Sequence, residues 1–474
     1  MLKKNLFHNL FLSFTQVIYP IIIFGYTSKI IGPYYLGKIA FIDNFTRQLI
    51  VFCSLGLTFY GLKTISESKS DIVLRTKKFI ELFTIQGFLT ILICLLLYFS
   101  FWKINYINIY SEFQTLSILM LIGNALTNDW YFQGIDDYKY ILIRSNVIRI
   151  IAVILLFITV RTSNDYWYFF MIISITMFIN GCVNSYKIVR QNYKNFNTPK
   201  WVEIKLHLKP LIYTFLGTFS VSVYLQMDSI LLGILGNETS LGIYTVISKV
   251  SKVPLYIISA IGVVMTAKIA SLGSTSSTSL SNFYNKSLAL MMAIVTPMII
   301  FLVVFAESII MALSGSQFIS GQIPLTILTL TILFVGFSNI FGIQILVTQG
   351  KENQFAIATA VGMFLNIFLN LILIPKMQLL GTVIALTATE FSVMFITYLY
   401  ARKYINVFIS KSEVKSNALF ILLLSPCLVL IEGSISNLYF KLITGLLATI
   451  GLFYLVYILR NKPSIIKSLL NDEI

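Results

Sequence analysis

Residues 30–48 read IIGPYYLGKIAFIDNFTRQ. The stretch ends one long apolar run, turns at its glycines, and opens a second run that carries Arg47 well inside it. Residues 234–252, ILGNETSLGIYTVISKVSK, repeat the pattern. Gly37 aligns with Gly242 and Leu36 with Leu241; Gly32 aligns with Gly236 after a one-residue gap. Such glycines suit a tight turn between antiparallel helices. Without further gaps, Arg47 falls opposite Lys252, with Lys249 one turn before it. A later match has the same order: DWYFQG ends an apolar run at Gln133-Gly134, and ILVTQG ends another at Gln349-Gly350.

The rest of the chain follows from these two stretches. A membrane-crossing helix needs about 20 apolar residues at 1.5 Å each. Runs of that kind fall near 9–31, 39–62, 79–101, 113–133, 141–160, 166–187, 210–235, 243–268, 284–306, 322–347, 355–375, 381–401, 417–432 and 437–459. The repeat then relates spans 1–6 to spans 7–12. Six spans per half keep the orientation, which predicts parallel repeats about an axis along the membrane normal. The fold class is an all-α polytopic membrane protein of about 14 transmembrane helices. The expected division is a six-helix lobe at 1–190, a cytoplasmic linker at 191–209, a second six-helix lobe at 210–403, and two further helices with a tail at 404–474.

Composition agrees. The 474 residues are 57% hydrophobic and only 11% charged, against about 25% charged in a soluble domain. The net charge of +16 reports topology rather than nucleic-acid binding, because cytoplasmic loops collect Lys and Arg. One set of loops holds 24 basic residues, from Lys3 and Lys4 through Lys63–Lys78, Lys187–Lys209 and Arg402–Lys415 to Arg460–Lys467. The alternate set holds 6: Lys29, Lys38, Lys103, Arg161, Lys376 and Lys441. Both termini are therefore expected in the cytoplasm. The N-terminal run is too long for a signal-peptide core and reads as a retained first span. The Ser-rich stretch 271–281 reads as a flexible loop.

Charges inside spans narrow the function. A charge at the bilayer centre costs about 2.5–3.5 kcal/mol on insertion scales, so residues kept there face a wet interior and touch something. Arg47, Arg149, Lys249 and Lys252 are cationic, which points to an anionic cargo. Asp43 lies at i and i+4 to Arg47 and can partly neutralise it. Arg47 and Lys252 could instead pair with Asp43 and Asp228 to hold helices together. Glu390 either pairs across helices or takes up a proton, since burial favours the neutral carboxyl. Arg144, Glu81 and Asp129 fall near span ends and read as interfacial, with Arg144 reaching the surface. Gln16, Asn44, Gln48, Asn124 and Gln226 are candidate partners for sugar hydroxyls. Cys53, Cys94, Cys182 and Cys427 have no paired spacing, and His8 and His207 are isolated, so neither a disulfide framework nor a metal site is expected. The sequence carries no P-loop, nucleophile elbow or dinucleotide fingerprint, so neither an enzyme nor a bound cofactor is expected.

Trp130-Tyr131-Phe132-Gln133-Gly134, followed by Asp136 and Asp137, resembles the W-x-F-Q-G element of bacterial polysaccharide flippases. SKIIGPYYLGKIAF resembles their R-x-L-G-x-x-x-(Y/F)-G segment, with Lys29 in place of Arg and only an approximate match at Gly37. MDSILLGILGNETSLGIY is similar to a further segment through Asp228, Gly233, Gly236, Gly242 and Tyr244. The resemblance is to Wzx-type O-antigen or capsule repeat-unit flippases, within the polysaccharide transporter family of the multidrug/oligosaccharidyl-lipid/polysaccharide exporter superfamily. It implies a multi-pass protein of the bacterial inner membrane. It also implies a two-lobe, alternating-access fold and an undecaprenyl-diphosphate-linked oligosaccharide cargo moved to the periplasmic leaflet. A polysaccharide polymerase and a chain-length regulator are the candidate protein partners. A lipid II flippase shares these features, and the W-x-F-Q-G element speaks against it. A cation-coupled multidrug exporter would have twelve spans and an acidic cavity. A membrane glycosyltransferase or polymerase would need a long outside loop or a soluble domain.

Overall fold

In the computed structural model, the described backbone covers residues 2–103, 110–196, 199–271, 277–405 and 411–459, and side chains are described from Ile22 onward except at 100–103, 264, 267, 268, 270, 271, 277–280, 282, 411–413 and 457–459. Every element among them is helical. In order they are α1 (Leu2–Ser54), α2 (Leu57–Glu67), α3 (Ile72–Lys103), α4 (Gln114–Thr127), α5 (Asp129–Gly134), α6 (Tyr138–Thr159), α7 (Tyr166–Asn192) and α8 (Trp201–Leu235). Then follow α9 (Glu238–Ser271), α10 (Ser277–Val304), α11 (Ala306–Ser314), α12 (Gln322–Leu328), α13 (Leu330–Ser338), α14 (Glu352–Met377), α15 (Leu379–Ala401), α16 (Lys411–Ser434) and α17 (Leu438–Phe453). Residues Asn339–Val347 continue α13 as a π-helical segment.

Twelve helices among the described residues are long and apolar enough to cross a membrane. The fourteen expected spans differ from that count for two local reasons. The first two merge into α1 across a break at Gly32, whose φ is 77° and ψ 169°. The fourth is cut into α4 and α5 by Asn128 at φ 43°, a left-handed conformation that Asn tolerates better than most residues. The corresponding tenth span is also irregular, through its π-helical segment. The expected linker at 191–209 is mostly helix: α7 runs to Asn192 and α8 starts at Trp201. Ile204, His207 and Leu211 are buried there, the i, i+3, i+7 spacing of a helix face. In the Ser-rich stretch, residues 277–281 open α10, whereas 272–276 lie outside the described residues, as do the basic tail from Arg460 and the side chains of His8 and Gln16.

The chain divides into two compact units, Met1–Gly242 and Ile243–Ile474. The first therefore includes α8, which the sequence reading assigns to the second lobe. The repeat-related glycines meet within this unit. A Cβ on Gly37 would lie 1.7 Å from the Glu238 carbonyl oxygen, and one on Gly242 would lie 1.9 Å from that of Pro33. Two backbones cross there at a distance that only glycine permits, a common device between membrane helices.

The ends of the first unit sort the loops in the same way as the charge count does. At one end Glu112 binds Lys38 and accepts from Tyr166 Oη at 2.9 Å, and Tyr110 Oη donates to Glu238 at 3.2 Å. At the other, Lys69 pairs with Asp136 (2.5 Å), Lys77 with Glu203 (2.6 Å) and Lys187 with Asp137 (2.8 Å). In the second unit, Glu432 of α16 accepts from Ser308 at 2.6 Å and pairs with Lys441 of α17 at 3.2 Å. Gln344 of the π-helical segment accepts from Ser287 of α10 at 2.7 Å.

Candidate functional site

Arg47 sits on the second half of α1. Its Nε bonds both carboxylate oxygens of Asp43, at 3.0 and 2.9 Å. The i, i+4 spacing along a helix brings these two side chains together. Asp43 engages only Nε, so the pair of terminal nitrogens is not used in this contact. The Arg47 side chain is 46% exposed. A cationic head on the surface of an apolar helix is costly in hydrocarbon, and a planar fork is suited to a phosphate oxygen pair.

Polar groups continue along the same helix. Asn44 donates to the Ala40 carbonyl at 2.7 Å. Gln48 accepts from Ser222 of α8 at 2.6 Å, and Asn124 of α4 donates to Ser54 at 3.1 Å. Gln226 is one turn after Ser222, and its Oε1 is buried with no hydrogen-bond partner among the described residues. An unsatisfied buried amide oxygen is rare in folded proteins and marks a place for a donor. Asp43, Asn44, Arg47 and Gln48 with Ser222 and Gln226 thus form a polar strip on the first unit, built by α1 and α8.

The other predicted residues are distributed between the units. Arg149 is half-buried on α6, and Asp228 is buried on α8, both in the first unit. Lys249 is half-buried and Lys252 exposed on α9, and Glu390 is buried on α15, all in the second. None of these five is without an interaction partner.

Two polar networks of the first unit escaped the sequence reading. Arg144 does not reach to the surface. Its side chain is 4% exposed and pairs with Asp129 at 2.9 Å, with Asn184 and Ser145 also bonded to it. Glu81 is likewise buried inside the protein. Its side chain is 0% exposed; Oε2 lies 2.7 Å from His207 Nε2 and 3.0 Å from Lys78 Nζ. His207 Nδ1 in turn lies 2.8 Å from Tyr60 Oη. The signal for His207 was its place in the buried stripe of α8; nothing in the sequence pointed to its partner 126 residues away.

The W-x-F-Q-G element is the short helix α5, and it works as a clamp. Trp130, Tyr131, Phe132 and Gly134 are buried. Gly61 of α2 lies against the Trp130 ring, and Gly134 against Ile65. Arg75 stands over the Tyr131 ring, and Lys187 over those of Phe132 and Tyr140.

A family model described as "Polysaccharide biosynthesis protein" matches residues 2–267, more than half of the chain. The chain belongs to that family. Two relatives carry the name "Putative O-antigen transporter". The one from Escherichia coli (strain K12) is 20% identical over 401 residues, covering 85% of this chain and 97% of the relative. The one from Shigella dysenteriae is 22% identical over 391 residues, covering 82% and 97%. Among solved structures, a lipid II flippase MurJ in an inward closed conformation aligns with TM-score 0.71 at 16% identity, over 98% of this chain and 99% of that one. An inward-facing multidrug resistance MATE family transporter of the MOP superfamily aligns with TM-score 0.64 at 14% identity, over 82% and 94%. At such identities the structural likeness shows the fold. The family match bears out the resemblance drawn from the sequence, and the chain is a multi-pass membrane protein.

Proposed function

We propose that this chain is a flippase for oligosaccharide repeat units linked to undecaprenyl diphosphate. It moves them from the cytoplasmic to the periplasmic leaflet of the inner membrane by alternating access, with both termini in the cytoplasm. Family membership and the names of the relatives support a transporter of this class. The observation that carries the cargo chemistry is Arg47: an exposed guanidinium in an apolar helix, its Nε held by Asp43. A diphosphate has the paired anionic oxygens that such a fork binds. Arg149, Lys249 and Lys252 supply further positive charge to the headgroup, with Asp43, Asp228 and Glu390 as supporting acids. Asn44, Gln48 and Gln226 suit sugar hydroxyls, which both donate and accept. The lipid tail remains in the bilayer. No nucleotide motif is present in the sequence, so the energy comes from an ion gradient or from the cargo's own gradient.

The test is complementation. The chain is expressed in a strain lacking its O-unit flippase, and surface glycan and lipid-linked repeat units are scored together. Restored glycan with a fall in the lipid-linked intermediate is the expected result. Rescue of lipid II flipping instead would assign the cargo to peptidoglycan synthesis, whose flippase shares the fold.

A further inference from the structure

We propose that Glu81 and His207, with Tyr60 as the entry group, form a proton-binding site whose occupancy controls transport. The control of transport rests on the flippase reading; the site itself does not.

The cluster joins three helices: Tyr60 on α2, Glu81 on α3 and His207 on α8. It lies among Leu57, Ile65, Phe79, Leu82, Ile204 and Leu211 of the first unit's apolar core. Glu81 and the His207 side chain are 0% and 4% exposed, while Tyr60 is half-buried. Tyr60 therefore connects the Nδ1 side of the imidazole with the outside, while partly exposed Lys78 reaches Glu81 on the other side. In such a core an uncompensated polar group is costly, yet Glu81 Oε1 has no hydrogen-bond partner among the described residues. The carboxylate is thus served on one oxygen, by His207 and Lys78, and retains capacity on the other.

The geometry accommodates both protonation states of the imidazole. When it is neutral, Nε2–H donates to Glu81 and Nδ1 accepts from the Tyr60 hydroxyl. When a proton is added at Nδ1, Nδ1–H donates to Tyr60 Oη, whose own hydrogen turns outward. A hydroxyl can serve in either role, so no bond is lost and no other group changes its proton count. Imidazole is the side chain whose ordinary titration falls within the physiological range. Uptake adds a positive charge next to Glu81 and makes the α8–α3 bond charge-assisted at both ends, which shortens and strengthens it.

Several other charges around the cluster are paired. Lys63 lies 3.8 Å from Glu67 on α2, Lys77 is 2.6 Å from Glu203 across α3 and α8, Asp129 binds Arg144, and Lys187 binds Asp137. Arg75 and Lys205 lie over the rings of Tyr131 and Trp201. Arg190, Lys194, Lys200 and Lys209 add positive charge at this end. Lys78 bonds to the cluster itself.

The link to cargo is α8. Pro210 lies within this helix, three residues after His207 and before Ser222 and Gln226 of the polar strip. Proline removes one helix hydrogen bond and permits a bend. A tighter hold on α3 before the bend fixes one part of α8 while the part that carries the strip can swing.

The chain has two histidines, which makes the site directly observable. Full-length protein carrying His8→Gln is reconstituted in vesicles, and the nitrogen resonances of its one remaining imidazole are followed from pH 5 to 8. A reversible change between neutral and protonated signals is expected. An imidazole that keeps one signal over that range overturns the site. Flipping is then measured under an imposed pH gradient. One coupled proton changes the accumulation ratio by about tenfold per pH unit. That response should vanish in His207→Gln and weaken in Tyr60→Phe, which keeps the ring, while flipping down the cargo gradient persists. An unchanged gradient response in both variants overturns the coupling. Should the vesicles flip no lipid-linked sugar at all, the flippase reading fails, and the imidazole titration still decides the proton site.

Discussion

Gln133-Gly134 in the first unit and Gln349-Gly350 in the second are the same dipeptide at corresponding turns, but their glycines meet different demands. A Cβ on Gly134 would lie 2.7 Å from Ile65 Cγ2 and 3.1 Å from the Leu62 carbonyl oxygen. Gly350 has open space around it, but its φ is 67°. The first glycine is required by packing, the second by backbone conformation. The surroundings differ in the same sense. Ion pairs secure the first turn, through Arg144–Asp129, Lys187–Asp137 and Lys69–Asp136. Around the second, neutral hydrogen bonds predominate: Ser287 to Gln344 at 2.7 Å, Tyr284 with Thr348 at 3.3 Å and Gln354 to Tyr404 at 2.6 Å. The comparison teaches that the repeat keeps the turn while each unit secures it with its own chemistry. Asp129, Asp136 and Asp137 at this turn are each held by a cation, and so Arg47, whose terminal nitrogens Asp43 leaves unused, stands out from them.

Function gives the largest expected effect. Arg47→Ala in the first unit and Lys252→Ala in the second should each lower surface glycan by about tenfold or more, the scale of a lost charged hydrogen bond, with membrane levels of protein unchanged. Arg47→Lys should recover part of the loss, since it keeps the charge without the fork. Normal glycan in both alanine variants would remove the cationic site from the account.

Stability separates the two turns next. Asp129→Ala leaves a buried arginine without its carboxylate, at a cost of about 3 kcal/mol; Asp129 being 35% exposed keeps the loss from being larger. Ser287→Ala removes a neutral bond worth about 1 kcal/mol. Thermal unfolding in detergent should therefore show a much larger drop for the first variant, and equal drops would erase the distinction. Asparagine placed at each glycine sharpens it further. Gly134→Asn forces side-chain atoms into Ile65 and should cost about 1–3 kcal/mol, whereas Gly350→Asn should be nearly silent because Asn tolerates the left-handed region. The smallest expected effect is that of Glu390→Gln. With the proton bound in the first unit, this change in the second should leave the response to a pH gradient intact; a lost response would move proton binding to Glu390.

Much of the fold could be read from apolar run length, and the Arg47–Asp43 pair from its i, i+4 spacing. The start of α8 could not, because Lys200, Lys205 and Lys209 made it look like a loop. The stripe of Ile204, His207 and Leu211 was present but was masked by its histidine. Arg144 looked interfacial because its carboxylate, Asp129, lies 15 residues away at the start of α5, across the turn between α5 and α6. Glu81 and His207 meet only through tertiary packing, which local pattern does not encode.

The central claim is tested most directly by reconstituting the purified chain in vesicles with a diphosphate-linked oligosaccharide lipid in the outer leaflet. Loss of that sugar's accessibility to an added glycan-modifying enzyme reports flipping. The account predicts protein-dependent loss that is abolished in Arg47→Ala and is not seen for a neutral glycolipid with the same sugar. Equal movement of the neutral lipid, or unimpaired flipping by Arg47→Ala, would contradict it.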